Sequence, residues 1–157
     1  MGLSIRAFRN GDRAAVEALW TRVFPDDPPR NAPALMIENK LKVQPELLLV
    51  GEVDGVDAAA AAAGGAGGAG AVGARIVGAV MAGYDGVRGW IYHLAVAPEF
   101  RRRGYGAQLV RAAEAGLRTL GCAKVNLQVR ASNREVIAFY RSVGYEVEER
   151  VSMGRRI

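Results

Sequence analysis

The sequence predicts an α/β chain of the α+β kind, a mixed, mostly antiparallel sheet flanked by helices, and three observations carry that expectation. First, two runs rich in β-formers, residues 47–53 and 76–84, each end in an Asp-Gly pair, Asp54-Gly55 and Asp85-Gly86. Asp-Gly supplies the positive φ angles that a tight hairpin needs, so an antiparallel neighbour should follow each run. Second, residues 90–96 form a further β-rich stretch, closed by Pro98, which cannot donate to a ladder. Third, the apolar spacing then changes period. Leu109, Val110, Ala113, Leu117 and Leu120 recur at helical intervals, after which residues 124–130 alternate again. A helix that leads into a strand implies a parallel crossover onto the antiparallel set.

Taken in order, residues 3–8 place Leu3, Ile5 and Ala7 on one side and Ser4, Arg6 and Phe8 on the other, a first strand. Asn10 can cap the helix that follows, whose apolar face is Val16, Leu19, Trp20 and Val23. Pro25, Pro28 and Pro29, with Asp26 and Asp27, stiffen a loop, and Pro33 suits the first turn of a second helix through Leu35, Met36 and Leu41. After the strand at 47–53 comes a low-complexity alanine and glycine insertion at about 57–74. It is read as a mobile loop, because its glycines oppose a helix and its side chains are too small to bind anything specifically. Beyond the hairpin strands and the long helix, ended by Gly121, Val125, Leu127 and Val129 alternate with Asn126 and Gln128 in a fifth strand. Ala131, Ser132 and Asn133 open a last helix carrying Val136, Ile137, Phe139 and Tyr140 and stopped by Gly144, and residues 145–150 and 151–156 read as a terminal pair of strands.

At 157 residues, half of them apolar, the chain is expected to be a single domain over 1–157 with a core of its own. Its longest apolar run, 58–72, is too weakly hydrophobic for a membrane span, and residues 2–9 lack the apolar region of a secretory signal, so the expected location is the cytoplasm. One cysteine, Cys122, excludes an internal disulfide framework, and one histidine, His93, leaves few soft ligands for a metal, so no structural metal is expected. Lys plus Arg exceed Asp plus Glu by 21 to 16, a net charge of +5. Such a balance suits polyanions, but no helix-turn-helix, zinc-finger spacing or aromatic RNA-binding strand is present. The charge is therefore read as solubility together with attraction for a ligand's phosphates.

The chemistry concentrates after the fourth strand. Arg101, Arg102 and Arg103 lead into Gly104, Tyr105, Gly106 and Ala107 at the mouth of the long helix. There the opening N–H groups lack carbonyl partners, the helix dipole is positive, and absent Cβ atoms let an anion come close. A dinucleotide fingerprint would need a third glycine where Leu109 stands, and a Walker loop would need Gly-Lys-Ser/Thr, which does not occur. What remains is Arg-x-x-Gly-x-Gly behind Leu94, Ala95, Val96 and the turn Ala97, Pro98. This resembles the acetyl-CoA pyrophosphate loop of the GNAT superfamily of N-acyltransferases. Val129 to Asn133, then Ala138, Phe139, Tyr140, Gly144 and Tyr145, are similar to the family's second block, and the order βαα, three strands, αβ, αββ matches the GNAT fold over nearly the whole chain. Asp85, Gly86 and Ser152, Met153, Gly154 look closest to the small bacterial YpeA-like members.

The resemblance implies an acetyl-CoA-dependent N-acetyltransferase that moves an acetyl group to a primary amine by direct attack in a ternary complex, with acetyl-CoA as cosubstrate and no metal. In the implied fold the fourth and fifth strands splay apart. Leu94 and Ala95 flank the pantetheine arm, and the Val96 backbone amide donates to the thioester carbonyl. Arg101 matches the motif's first position, and Arg102, Arg103, Gly104, Tyr105, Gly106 and Ala107 bind the pyrophosphate. Asn133 contacts the pantetheine or serves as an ordinary N-cap, and Tyr140 is the general acid for the leaving sulfur. The general base stays open. Gln128 stands where related N-terminal acetyltransferases carry a glutamate, and it cannot usefully accept a proton. A histidine ordinarily titrates near pH ~6.5, which suits His93; Tyr92 and a chain of waters are the other readings. Alternation along the strand expects Tyr92 and His93 on opposite faces. Cys122 follows the helix, away from the loop, so an acyl-enzyme is not expected. The acceptor, a small-molecule amine or a protein N-terminus, stays open, as does the choice between monomer and homodimer. Two other classes remain: a non-catalytic acyl-CoA-binding sensor, against which Tyr140 argues, and a basic nucleic-acid-binding module.

Overall fold

A computed structural model describes residues 2–54 and 74–157. Most of the alanine and glycine insertion, read above as a loop, lies outside the described residues. The chain divides into two compact units, Met1–Leu127 and Gln128–Ile157.

The first unit carries β1 (Ser4–Ala7), α1 (Arg13–Val23), α2 (Pro33–Lys42), β2 (Leu48–Val53), β3 (Arg75–Tyr84), β4 (Gly89–Val96), α3 (Tyr105–Thr119) and β5 (Val125–Asn126). Its strands form one sheet in chain order; β1 to β4 pair antiparallel and β5 joins β4 in parallel. The expected fold class is therefore the observed one. The β3–β4 turn follows its sequence signal: Asp85 Oδ1 accepts from the Val87 and Arg88 amides at 2.8 and 2.7 Å, and Gly86 takes φ 92°.

Each face of the sheet buries its own apolar layer. On one, Val16, Trp20 and Ile37 of α1 and α2 pack with Leu48, Val50, Val77, Ala79 and Ala95. On the other lies α3, whose stripe of Leu109, Val110, Ala113 and Leu117 is fully buried. A Cβ at Gly78 would stand 2.7 Å from Leu109 Cδ1, and one at Gly89 would stand 2.9 Å from Leu117 Cδ1, so these two glycines set how closely the helix approaches. Each such leucine contributes about 1.5–3 kcal/mol by leaving water.

Asn10, expected to cap α1, instead opens a short 3-10 turn, Asn10–Asp12. Asp12 reaches back to the Arg9 amide at 2.7 Å, while the Arg6 guanidinium holds both its oxygens at 2.7 and 2.9 Å and Glu52 of β2 at 2.8 Å. A carboxylate can take charged donors from the adjacent strand and an amide oxygen does so more weakly, which is why the acid two positions on replaces the asparagine. The Arg6 hydrogen bonds hold the Asp12 carboxyl below the usual carboxylate range. With Asp12 only 8% exposed, Asp12→Ala is expected to destabilise by about 2 kcal/mol at neutral pH. A depressed folded pKa means this stabilisation is complete above the ordinary carboxylate pKa and disappears as pH falls through the folded value. Urea unfolding of both proteins should therefore show a gap at neutral pH that closes in strong acid.

The second unit carries α4 (Arg134–Ser142), which ends before Gly144 at φ 101°. Two sequence expectations change. β5 is Val125–Asn126 rather than 124–130, and residues 145–156 hold no strand. Alternation reports how side chains are sorted, whereas a strand also needs a partner backbone, and the β4–β5 ladder ends at Trp90 with Asn126. In the terminal stretch Val147, Val151 and Met153 are 67%, 88% and 90% exposed, so no apolar face is covered to offset the entropy of ordering strands there.

Candidate active site

The loop between β4 and α3 is braced on both sides. Pro98 opens a 3-10 turn that drives Phe100 into the core, and the Arg75 and Arg103 guanidinium groups lie 5.4 and 5.2 Å from its ring centroid. Glu99 holds Arg22 at 3.0 Å and Arg75 at 2.8 Å, and Arg101 Nε donates to the Val96 carbonyl at 3.2 Å. Arg102 and Gly104 then take left-handed φ angles of 64° and 76°, which turn the chain into α3. Only at Gly104 is that conformation free of a Cβ penalty, and nothing stands within 4 Å of where its Cβ would be. The Gln108 amide bonds back to the Gly104 carbonyl at 3.1 Å. The amides before it have no acceptor within the helix, and they carry the positive end of its dipole. With the exposed Arg101, Arg102 and Arg103 alongside, the loop has the donors and charge that an anion needs, and packing fixes it in place.

β4 itself is irregular. Tyr92 pairs with Met81 but Ala95 pairs with Ala79, so His93 and Leu94 together oppose Val80, and His93 takes φ 46°. This one-residue bulge overturns the expected alternation. Tyr92, opposite Met81, and His93, whose ring meets Trp20 and Phe24 edge-on at 5.5 and 4.8 Å, lie on the same face, the one covered by α1 and α2. His93 Nε2 is 2.7 Å from Asp27 Oδ2. Tyr92 is 46% exposed, and burial of the rest pushes its hydroxyl pKa up.

Past the bulge, the Ala97 amide bonds across to the Val77 carbonyl of β3 at 2.8 Å. Successive amides along a strand point to opposite edges, so the Val96 N–H is directed to the far edge of β4. β5 meets that edge only at Gly89 and Trp90. From Ile91 to Val96 the parallel ladder does not continue among the described residues, leaving an edge along which an extended ligand can pair. Leu94 is half-buried there and Ala95 is buried.

In the second unit Asn133 is an N-cap, its Oδ1 accepting from the Val136 amide at 3.2 Å. Tyr140 packs edge-on against Phe139 and Tyr145 at 5.0 and 5.5 Å, and burial pushes its hydroxyl up to about 12. Gln128 Nε2 donates to Ser152 Oγ at 2.7 Å. Cys122, in the first unit, donates to the Lys124 carbonyl and lies against Gly89. It is at the start of β4, about 23 Å from the loop along seven strand residues.

The family model described as Acetyltransferase (GNAT) family matches residues 13–145. The chain belongs to the GNAT acetyltransferase family. It is 39% identical over 155 residues to an acetyltransferase of Pectobacterium atrosepticum and 38% identical over 155 residues to one of Yersinia enterocolitica, in both cases over 99% of this chain and 96% of the relative. Among solved structures it is similar to Ard1 from Thermoplasma volcanium, with TM-score 0.71 and 24% identity over 94% of this chain and 85% of that one. It is also similar to the aminoglycoside N-acetyltransferase AAC(6')-Iy bound to a CoA-containing bisubstrate analogue, with TM-score 0.72 and 19% identity over 100% and 99% of the two chains. These likenesses at low identity establish the GNAT fold.

Within this GNAT chain, sequence reading found the loop and β4 but missed Asp27 and Glu99. Asp27 was legible only as one of two acids in a proline-stiffened loop. Its partner lies 66 positions away, and the bulge that brings His93 to it leaves no mark in the alternation of residues 90–96. Glu99 was hidden for the same reason, since Arg22 and Arg75 approach it from α1 and from the start of β3.

Proposed function

We propose that this GNAT enzyme transfers the acetyl group of acetyl-CoA to a primary amine by direct attack in a ternary complex. The observation that carries the reading is the braced loop, where the left-handed Gly104 leaves open space before the first turn of α3. The amides of Gly104, Tyr105, Gly106 and Ala107 bind the pyrophosphate, and Arg101, Arg102 and Arg103 add charge. Leu94 and Ala95 line the pantetheine arm, and the Val96 amide donates to the thioester carbonyl, where negative charge develops as the amine attacks. In this reading Asn133, beyond its capping role, contacts the pantetheine, and Tyr140 serves the leaving sulfur. The position of Cys122 at the other end of β4 favours direct transfer over an acetyl-enzyme.

A small-molecule amine is the favoured acceptor. Gln128, where a glutamate base serves N-terminal acetyltransferases, is instead engaged with Ser152. Among the described residues no helix is long and apolar enough to cross a membrane, and the reading places the reaction in the cytoplasm, where acetyl-CoA is made. The test is incubation with acetyl-labelled acetyl-CoA and a panel holding an aminoglycoside, a polyamine, simple alkylamines and peptide N-termini, followed by mass analysis. Label in a non-peptide amine is the expected result. Label confined to peptide N-termini would reassign the acceptor, and no enzyme-dependent label in any amine would overturn the reading.

A further inference from the structure

We propose that His93 is the general base of this transfer and that Asp27 is the residue that positions it, the acceptor amine docking on the face of β4 that α1 and α2 cover. The proposal rests on the acetyl-transfer reading above and adds the group that makes the amine nucleophilic.

Four observations converge. The bulge sets His93 on the same face as Tyr92 instead of the opposite one, three residues before Val96 and so within about 10 Å of its amide along the strand. Asp27 Oδ2 at 2.7 Å selects the tautomer with the proton on Nε2. The basic lone pair is then on Nδ1, which makes no hydrogen bond among the described residues. The ring is clamped edge-on between Trp20 and Phe24 yet keeps 17% of its side-chain surface exposed, so it is oriented without being sealed. Finally, φ 46° is a conformation that a non-glycine residue holds only when its surroundings over-determine it. A histidine needed only to fill space would be served by a regular strand. The other candidates that the sequence offered serve less well: burial raises the Tyr92 hydroxyl pKa and so keeps it protonated, and Gln128 cannot take a proton. Of the groups against His93, Asp27 carries charge, Tyr92 beside it can titrate, and Trp20 and Phe24 do neither.

The step balances as follows. An ammonium acceptor gives one proton to Nδ1, leaving a neutral amine. The amine nitrogen attacks the acetyl carbon, the C–N bond forms, and the C–S bond breaks with its electron pair on sulfur. The second proton on nitrogen is taken up as the thiolate becomes the CoA thiol, and the imidazolium returns its proton to water.

Because the chain has a single histidine, the imidazole can be followed by 15N-histidine NMR without an acceptor. The wild-type ring is expected with its proton on Nε2 and Nδ1 bare near neutral pH, and Asp27→Asn should weaken that preference. A ring protonated on Nδ1 would overturn the proposal. In kinetics with the amine that the panel identifies, His93→Gln is expected to lower kcat by about a hundredfold. It should also abolish the acid limb of the kcat/KM profile, while CoA still raises the melting temperature. Asp27→Asn should give a smaller loss with the acid limb shifted. Wild-type rates with an unchanged acid limb in a folded His93→Gln protein would overturn the base assignment and leave acetyl transfer intact. Failure of the wild-type enzyme with every amine would instead remove the acetyl-transfer reading, and the base role with it.

Discussion

Tyr140→Phe is expected to lower kcat by about tenfold to a thousandfold, equivalent to roughly 1.4–4 kcal/mol of barrier, with CoA affinity and melting temperature nearly unchanged. The substitution removes one oxygen and keeps the ring that meets Phe139 and Tyr145 edge-on. Burial pushes the Tyr140 hydroxyl up to about 12, so it holds its proton at neutral pH and is ready to donate. The same shift limits what it can do. A thiol ordinarily titrates near ~8.5, so complete proton transfer from Tyr140 to the departing sulfur runs uphill. The expected help is mainly a hydrogen bond to developing negative charge, and the effect should fall at the lower end of the range. Single-turnover measurement isolates the chemical step. A rate within about twofold of wild type would show that Tyr140 is not the acid. Parallel loss of activity and stability would make it a structural residue.

Gly104→Val is expected to abolish the stabilisation that CoA should confer on the wild-type protein. A ligand at about a hundred times its Kd stabilises by ~2.7 kcal/mol, which for a chain of this size is a rise of roughly 5–10 °C in Tm. Valine at a left-handed φ of 76° is strained by about 1–2 kcal/mol, and its side chain enters the space that now stands open before the helix. The two effects are separable. Asparagine tolerates the left-handed region, so Gly104→Asn should melt close to wild type while still losing most of the CoA response. Retention of the full CoA-dependent rise in both variants would place the pyrophosphate elsewhere.

The parts of this protein legible in sequence are those set by short-range chemistry. Asp85-Gly86 forces a hairpin wherever the rest of the chain goes, and Gly104 stands where the sequence expects it, at the mouth of an apolar-striped helix. Pro33 opens α2 as its fixed φ requires. What sequence did not give depends on partners distant in the chain. Asn10 was a reasonable cap until Arg6 and Glu52 from two strands made Asp12 the better anchor. Residues 145–156 alternate like strands but lack the covered face that would hold them as such. At the candidate site, period-two alternation was applied across residues 90–96 when β4 contains one extra residue. That single insertion moved His93 beside Tyr92 and within reach of Asp27.

One-step transfer from cofactor to amine is tested most directly by initial velocities with acetyl-CoA and the acceptor amine both varied. A ternary complex predicts double-reciprocal lines that intersect, together with no acetyl group retained by the protein when acetyl-CoA is supplied alone. Parallel lines, with an acetyl group trapped on Cys122 or any other side chain, would contradict the account.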